Sequence, residues 1–185
     1  YTEGKEPFDP SKDRRIQQVF YAVMPSPVDG SVYAERPAMA ADAAREAVRQ
    51  ARQAQKSWAK RPLEDRVQLV LKGVARLNEM TDEVVPELAW MMGRPVRYGG
   101  EFRGFNERSN YVASIAADAL APMRIEDSAA FERRIEREPH GVVLVIAPWN
   151  YPYMTAINTV APPPLGGENV VLQKAAPTPP AGGGG

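Results

Sequence analysis

The chain has no cysteine, which excludes disulfides, thiolate metal sites and any cysteine nucleophile supplied from within these 185 residues. Histidine occurs once, at His140, so no imidazole cluster can be assembled from this chain, and a Ser-His-Asp triad would have to rest on that one residue. Its place in a Pro-His-Gly turn favours a satisfied or exposed histidine over a functional one. Net charge is missing too: Lys and Arg total 23, Asp and Glu total 23, which argues against a nucleic acid as the main partner. No apolar run approaches a membrane span and the opening residues do not read as a signal peptide, so no membrane partner is expected and a cytoplasmic location is. A GxGxxG phosphate loop is also lacking. Neither Gly166-Gly167 nor the glycines from Gly182 to Gly185 sit at a strand-to-helix turn in that pattern.

What is present is enough apolar sequence for a core, 44% hydrophobic against 25% charged. The organising stretch runs from Glu138 to Thr178. A polar turn, Glu138-Pro139-His140-Gly141, leads into an unbroken apolar run, Val142 to Ala147. A Pro-Trp-Asn-Tyr-Pro loop follows, then an amphipathic segment, then a second apolar run at Val170 to Leu172. Apolar runs too short for a helix fit strands buried on both faces, as in parallel sheets. Strand, loop, helix and strand make one βαβ unit, and ligands bind at the carboxyl ends of such strands.

The remainder reads as support for that unit. Residues 1–35 form an arm and a hairpin: polar sequence with Pro7 and Pro10, a strand candidate from Ile16 to Val23, an Asp29-Gly30 turn, and a return strand from Ser31 to Glu35. Residues 36–128 are helical. The first helix, Ala41 to Ala59, carries Ala44, Ala47, Val48, Ala51 and Trp58 on one side. The second, Leu63 to Met80, has the clearest stripe: Val67, Val70, Leu71, Val74 and Leu77. Thr81 offers an N-cap for a third helix ending at Gly93, but Pro86 lies past the tolerated first turn, which predicts a later start or a kink. The fourth helix spans Glu101 to Leu120, with Phe105, Val112, Ile115, Ala116 and Ala119 inward. Ala121 to Ser128 is a connector. Residues 129–140 hold an exposed edge strand, Ala130 to Arg137, whose alternating charges resist edge pairing. Residues 141–179 are the βαβ unit, and 180–185 a flexible tail.

At Ile146 to Pro152 the sequence IAPWNYP resembles the signature of the NAD(P)-dependent aldehyde dehydrogenase superfamily. The resemblance is carried further by Pro27-Val28-Asp29-Gly30-Ser31-Val32, by Trp58 followed by Leu63-Glu64-Asp65-Arg66, by Glu87-Leu88-Ala89-Trp90 with Met92-Gly93-Arg94-Pro95, and by Glu138-Pro139-His140-Gly141-Val142. It covers roughly Ile16 to Pro179 in order. It implies an α/β fold: the N-terminal part of an aldehyde dehydrogenase-like chain, helices followed by the first βαβ of a Rossmann-type parallel sheet. It also implies oxidation of a small-molecule aldehyde to a carboxylic acid. A cysteine thiolate forms a thiohemiacetal, hydride passes to NAD or NADP, and a glutamate-activated water releases the acid. Both the cysteine and the glutamate are expected outside this chain, which alone is expected to be inactive. A homo-dimer or homo-tetramer is implied for the full-length protein, with the strand near residues 129–140 at its contacts.

The resemblance assigns Asn150 as the catalytic amide that donates to the thiohemiacetal oxyanion; an Asx turn in a Pro-bracketed loop is the alternative role. It assigns Ile146, through its carbonyl, and Trp149 to the cofactor; Trp149 can equally pack under the loop. The lysine that binds the adenosine ribose or the extra phosphate of NADP aligns, without gaps, on Gln173, with Lys174 one place late. Adjacent strand residues face opposite ways, so Lys174 faces away from the cofactor unless the backbone bulges. Ala176 stands where NAD-preferring members often place a glutamate, which leaves NADP allowed. The prolines at 162–164 are expected to end the preceding helix early. Departures from the family pattern gather after Ala161 and finish in glycines, as expected of an interrupted reading of a longer chain. A non-catalytic binding or structural module with the same fold is the competing reading.

Overall fold

The computed structural model describes residues 21–99, 101–128 and 130–174. The expected N-terminal arm, the first part of the strand candidate and the tail lie outside the described residues, as does Ala176.

Two strands open the described chain, β1 (Tyr21–Pro25) and β2 (Val32–Pro37), paired antiparallel with Tyr21 opposite Pro37. Between them the Ser26 amide donates to the Ser31 carbonyl at 2.7 Å, and Gly30 takes φ +77°, a conformation that glycine adopts without Cβ strain. The return strand runs two residues past the sequence reading, to Pro37.

Four helices follow: α1 (Ala41–Trp58), α2 (Leu63–Asn78), α3 (Thr81–Met92) and α4 (Phe102–Leu120). The stripe on α2 does what its spacing predicts, and Val74 is buried. On α1 the partly buried side is Ala47, Ala51, Gln55 and Trp58, whereas Ala44 and Val48 stay exposed. On α4 the buried residues are Phe102, Phe105, Ser109 and Ala116; Ile115 and Ala119, expected inward, are exposed because no element among the described residues covers that side of the last two turns. The Ser109 hydroxyl is satisfied inside the helix by the Phe105 carbonyl at 2.7 Å.

Pro86 neither delays nor breaks α3, which starts at Thr81 and runs through it. The proline is exposed, on the side of the helix away from buried Val84 and Leu88. The lost backbone bond therefore falls where water can reach the freed carbonyl, and burial of both flanking residues offsets a cost of about 3 kcal/mol. Thr81 is not the cap either: it is the first helical residue, and its hydroxyl donates to the Asn78 carbonyl at 2.6 Å.

The core gathers Val74, Val84, Leu88, Phe102, Phe105, Ile157 and Ala161. Phe102 and Phe105 meet edge to face, with centroids 6.3 Å apart.

The connector after α4 is not a plain loop. It supplies β3 (Met123–Arg124), which pairs antiparallel with β4 (Arg134–Ile135). The long edge strand expected over Ala130 to Arg137 is thus reduced to two residues. Phe131 and Ile135 are both exposed, so no layer among the described residues rewards extension of the ladder.

The βαβ unit comprises β5 (Val142–Ala147), α5 (Pro152–Val160), the short α6 (Pro162–Gly166) and β6 (Asn169–Lys174). β5 and β6 are parallel and in continuous register from Val142 opposite Asn169 to Ala147 opposite Lys174. The three prolines do end the first helix, at Val160, but they also start the next. They occupy the first turn of α6, where a missing N–H removes no helical bond. The carbonyls at the end of α6 are taken by side chains of the first two helices: Trp58 Nε1 donates to Pro164 O at 2.9 Å, Arg66 Nε to Leu165 O at 3.1 Å and Gln55 Nε2 to Gly167 O at 3.0 Å.

Burial of β5 on both faces is not observed. Val145 and Ala147 are buried against α5, while Leu144 and Ile146 are 59% and 60% exposed, since nothing among the described residues packs on their side. No helix among the described residues is long and apolar enough to cross a membrane.

Candidate functional site

The loop from Pro148 to Tyr151 leaves the carboxyl end of β5, where Ala147 is level with Lys174. Prolines bracket it, and Pro152 opens α5 with its fixed φ already suited to a helix. Tyr151 precedes that helix without capping it through a side chain. The first-turn amides of α5 therefore need an acceptor from elsewhere.

Glu101 provides it. Its Oε2 accepts from the amides of Tyr153 at 3.0 Å and Met154 at 2.6 Å. A carboxylate at a helix N-terminus also meets the positive end of the helix dipole. Its other oxygen, Oε1, pairs with Arg94 Nη1 at 2.9 Å, and the Glu101 side chain is only 2% exposed. Arg94 carries the contact on to the loop: Nη2 donates to the Asn150 carbonyl at 3.0 Å, and the guanidinium lies 4.7 Å from the centroid of the Tyr151 ring. Arg94 is set up by the end of α3, where Gly93 takes φ +66°, and a Cβ there would meet Pro27 Cγ at 3.3 Å.

Asn150 itself is exposed. Only its backbone carbonyl is engaged; its side-chain amide has no partner among the described residues. No Asx turn uses it. Trp149 is 53% exposed and stands on the rim of an apolar pocket of about 330 Å³ lined by Ala147, Leu172, Met92, Tyr153 and Ile157. It is thus half packed and half open. Ile146 and Gln173 are level with each other and both exposed on the open side of the strand pair, so the ungapped lysine position is placed beside Ile146. The backbone of Lys174 pairs with Ala147 without a bulge. His140 is exposed in its turn.

Burial pushes the Tyr153 phenol above its ordinary value, and the negative charges of Glu87 and then Glu101 push the same way. A raised folded value stabilises the fold below the unfolded tyrosine's ionisation, and that contribution is lost as pH rises through the folded value. Tyr153→Phe is expected to flatten the fall in stability at alkaline pH, read from denaturant midpoints across that range; an unchanged slope would assign the fall to other groups.

Arg94 and Glu101 are the pair that sequence reading does not single out as site residues. Arg94 is visible only within the family-like Met92-Gly93-Arg94-Pro95 run, with no role attached, and Glu101 only as a helix start; their meeting point, more than 50 residues later in the chain, has no local signature.

The sequence matches the aldehyde dehydrogenase family over residues 17–182. The chain belongs to the aldehyde dehydrogenase family. It is 31% identical over 172 residues to vanillin dehydrogenase of Corynebacterium glutamicum, covering 85% of this chain and 33% of that one. Among solved structures it is similar to an NAD-dependent benzaldehyde dehydrogenase from Corynebacterium glutamicum, at 27% identity and a TM-score of 0.76 over 84% of this chain and 34% of that one. It is also similar to an NADP-dependent glyceraldehyde-3-phosphate dehydrogenase from Bacillus halodurans solved with NADP, at 27% identity and a TM-score of 0.74, covering 82% and 33%. The chain spans about a third of the length of these relatives. The βαβ unit and the helices before it are the aldehyde dehydrogenase elements that this third contains.

Proposed function

We propose that this chain is the N-terminal portion of an NAD(P)+-dependent aldehyde dehydrogenase that oxidises an aldehyde to a carboxylic acid. The observation that carries the reading is the Asn150 amide, exposed and without a partner among the described residues, at the carboxyl end of a parallel strand on a loop whose backbone is held from behind. The nucleophile is a cysteine thiolate from sequence outside this chain, which contains none. As that thiolate adds to the aldehyde carbonyl, negative charge develops on the oxygen, and the Asn150 Nδ2–H donates to it. A preformed donor needs no reorganisation at that moment, so it favours the charged state over the uncharged aldehyde.

The carboxyl end of β5 and β6 fits a dinucleotide in the chemistry of its groups. Exposed Ile146 and half-exposed Trp149 offer apolar surface, and the strand end is open on one face. Bound there, NAD(P)+ supplies a hydride acceptor. Ile146 would meet the ribose through its carbonyl and Trp149 would lie against the cofactor. Gln173, level with Ile146, would meet the ribose hydroxyls or the extra phosphate; Lys174, the sequence-based candidate, pairs with Ala147 without a bulge and would serve only if the backbone there shifts. Ala176, carrying no carboxylate, leaves NADP permitted beside NAD. A homo-dimer or homo-tetramer is the assembly proposed for the full-length enzyme.

The missing cysteine favours a second reading for the polypeptide taken alone, a non-catalytic module with the same fold. Both readings predict that the 185-residue chain mixed with an aldehyde and NAD(P)+ forms no reduced nicotinamide, followed by absorbance. They part on the sequence that accompanies it: joined to a segment carrying the thiolate, the chain oxidises aldehydes on the first reading and stays inert on the second.

A further inference from the structure

The loop that carries Asn150 has little of its own to hold it. Tyr151 offers no side-chain cap, Asn150 and Trp149 are exposed, and only the two prolines restrict the backbone. Yet a donor aimed at a developing charge must be fixed before the reaction, because a misplacement of about 1 Å can cost about 100-fold in rate. We infer that Arg94 and Glu101 together are positioning residues that set the orientation of the Asn150 amide, an inference that rests on the reading of Asn150 given above.

The geometry supports a clamp with two jaws. One jaw is Arg94 Nη2 on the carbonyl of Asn150 at 3.0 Å, with the guanidinium stacked at 4.7 Å over the ring of the next residue. The other is Glu101 Oε2 on the amides of Tyr153 and Met154, just beyond Pro152. The jaws are joined by the Arg94–Glu101 ion pair at 2.9 Å, with side chains 17% and 2% exposed. The loop is thus gripped at Asn150 and again at the first turn of α5, from a segment more than 50 residues earlier. The carbonyl of Asn150 is tied back, and the residue is exposed. Arginine suits this place because its planar fork presents one N–H to the carboxylate and a second to the carbonyl; a lysine ammonium is a point charge that cannot repeat that geometry. Neither residue touches the reacting atoms. The pair acts through Asn150.

The test uses steady-state kinetics of the complete enzyme that contains this chain, with NAD(P)+ and a simple aldehyde. The variants are Arg94→Lys, Glu101→Gln and Asn150→Ala, and each of the first two combined with Asn150→Ala. Arg94→Lys keeps the charge beside Glu101 and carries the test if Glu101→Gln folds poorly. The expected result is a fall in kcat of about 10- to 100-fold for Arg94→Lys, with KM for NAD(P)+ unchanged and no further fall when it is added to Asn150→Ala. Amide hydrogen exchange at Tyr153 and Met154 is expected to quicken in Glu101→Gln. If Asn150→Ala lowers kcat but Arg94→Lys and Glu101→Gln do not, or if their effects multiply with it, the positioning role is overturned and the catalytic reading of Asn150 survives. If Asn150→Ala leaves kcat unchanged, that reading fails and the positioning role falls with it.

Discussion

Asn150→Ala in the complete enzyme is expected to lower kcat by about 10²- to 10³-fold, equivalent to about 3–4 kcal/mol of barrier. The loss follows from removing one charge-facing N–H donor in a site where nothing else among the described residues takes its place. The substrate's KM is expected to change little, because an uncharged carbonyl draws much less from that donor than the oxyanion does. The amide is exposed and makes no hydrogen bond of its own among the described residues, so its loss leaves no buried group stranded and folding stability should be nearly unaffected. Kinetics and a denaturant melt on the same variant separate the two effects. A tenfold or smaller fall in kcat, about 1.4 kcal/mol of barrier, would assign the main oxyanion donor elsewhere.

The largest stability effect is expected from Arg94→Met. Methionine keeps most of the side-chain volume but leaves the Glu101 carboxylate, 2% exposed, without its counter-charge. Stranding one member of a buried pair costs about 3–5 kcal/mol, and in a chain of this size that corresponds to a fall in Tm of about 10 °C. The two α5 amides on Glu101 Oε2 hold the loss toward the lower end. Adding Glu101→Leu is not expected to restore stability, because those amides then lose their acceptor. The control is Arg103, whose pair with Glu107 at 3.2 Å is 93% and 66% exposed; Arg103→Met is expected to cost about 0–1 kcal/mol. Equal losses for the two arginines in urea unfolding would show that the buried pair is worth no more than the exposed one.

Where the chain's own periodicity decided the outcome, the fold was legible. The apolar run Val142 to Ala147 became β5 with the same ends, and the α2 stripe turned inward as spaced. Asp29-Gly30 marked its turn because the backbone there needs a residue tolerant of positive φ. What escaped the sequence was decided by partners. Ile115 and Ala119 lie on a helical stripe but no neighbour among the described residues buries them, and the charged alternation from Ala130 to Arg137 formed a ladder of two residues on β3 with one isolated bridge, Phe131 to Ser128. Pro86 looked prohibitive because its cost is local and visible, while the burial of Val84 and Leu88 that offsets it is tertiary. The prolines at 162–164 were read as a stop when they are also a start.

The site divides in the same way. Asn150, Trp149 and Ile146 stand out as candidates in the sequence because they fall within five residues at and just beyond the end of one strand. The Arg94–Glu101 pair was not, since a carboxylate before a helix and an arginine after a glycine are ordinary surface residues until α5 is laid across them. Gln173 and Lys174 differ only by the register of β6, which a sequence leaves open and a backbone ladder fixes: Ile146 is level with Gln173, Ala147 with Lys174.

The most direct measurement is a crystal structure of the complete enzyme trapped with an aldehyde-derived tetrahedral adduct on its cysteine. The expected result is Asn150 Nδ2 about 2.7–3.1 Å from the adduct oxygen, with Arg94 still on the Asn150 carbonyl. An adduct oxygen held by other donors, with the Asn150 amide turned away from it, would contradict the role given to this residue.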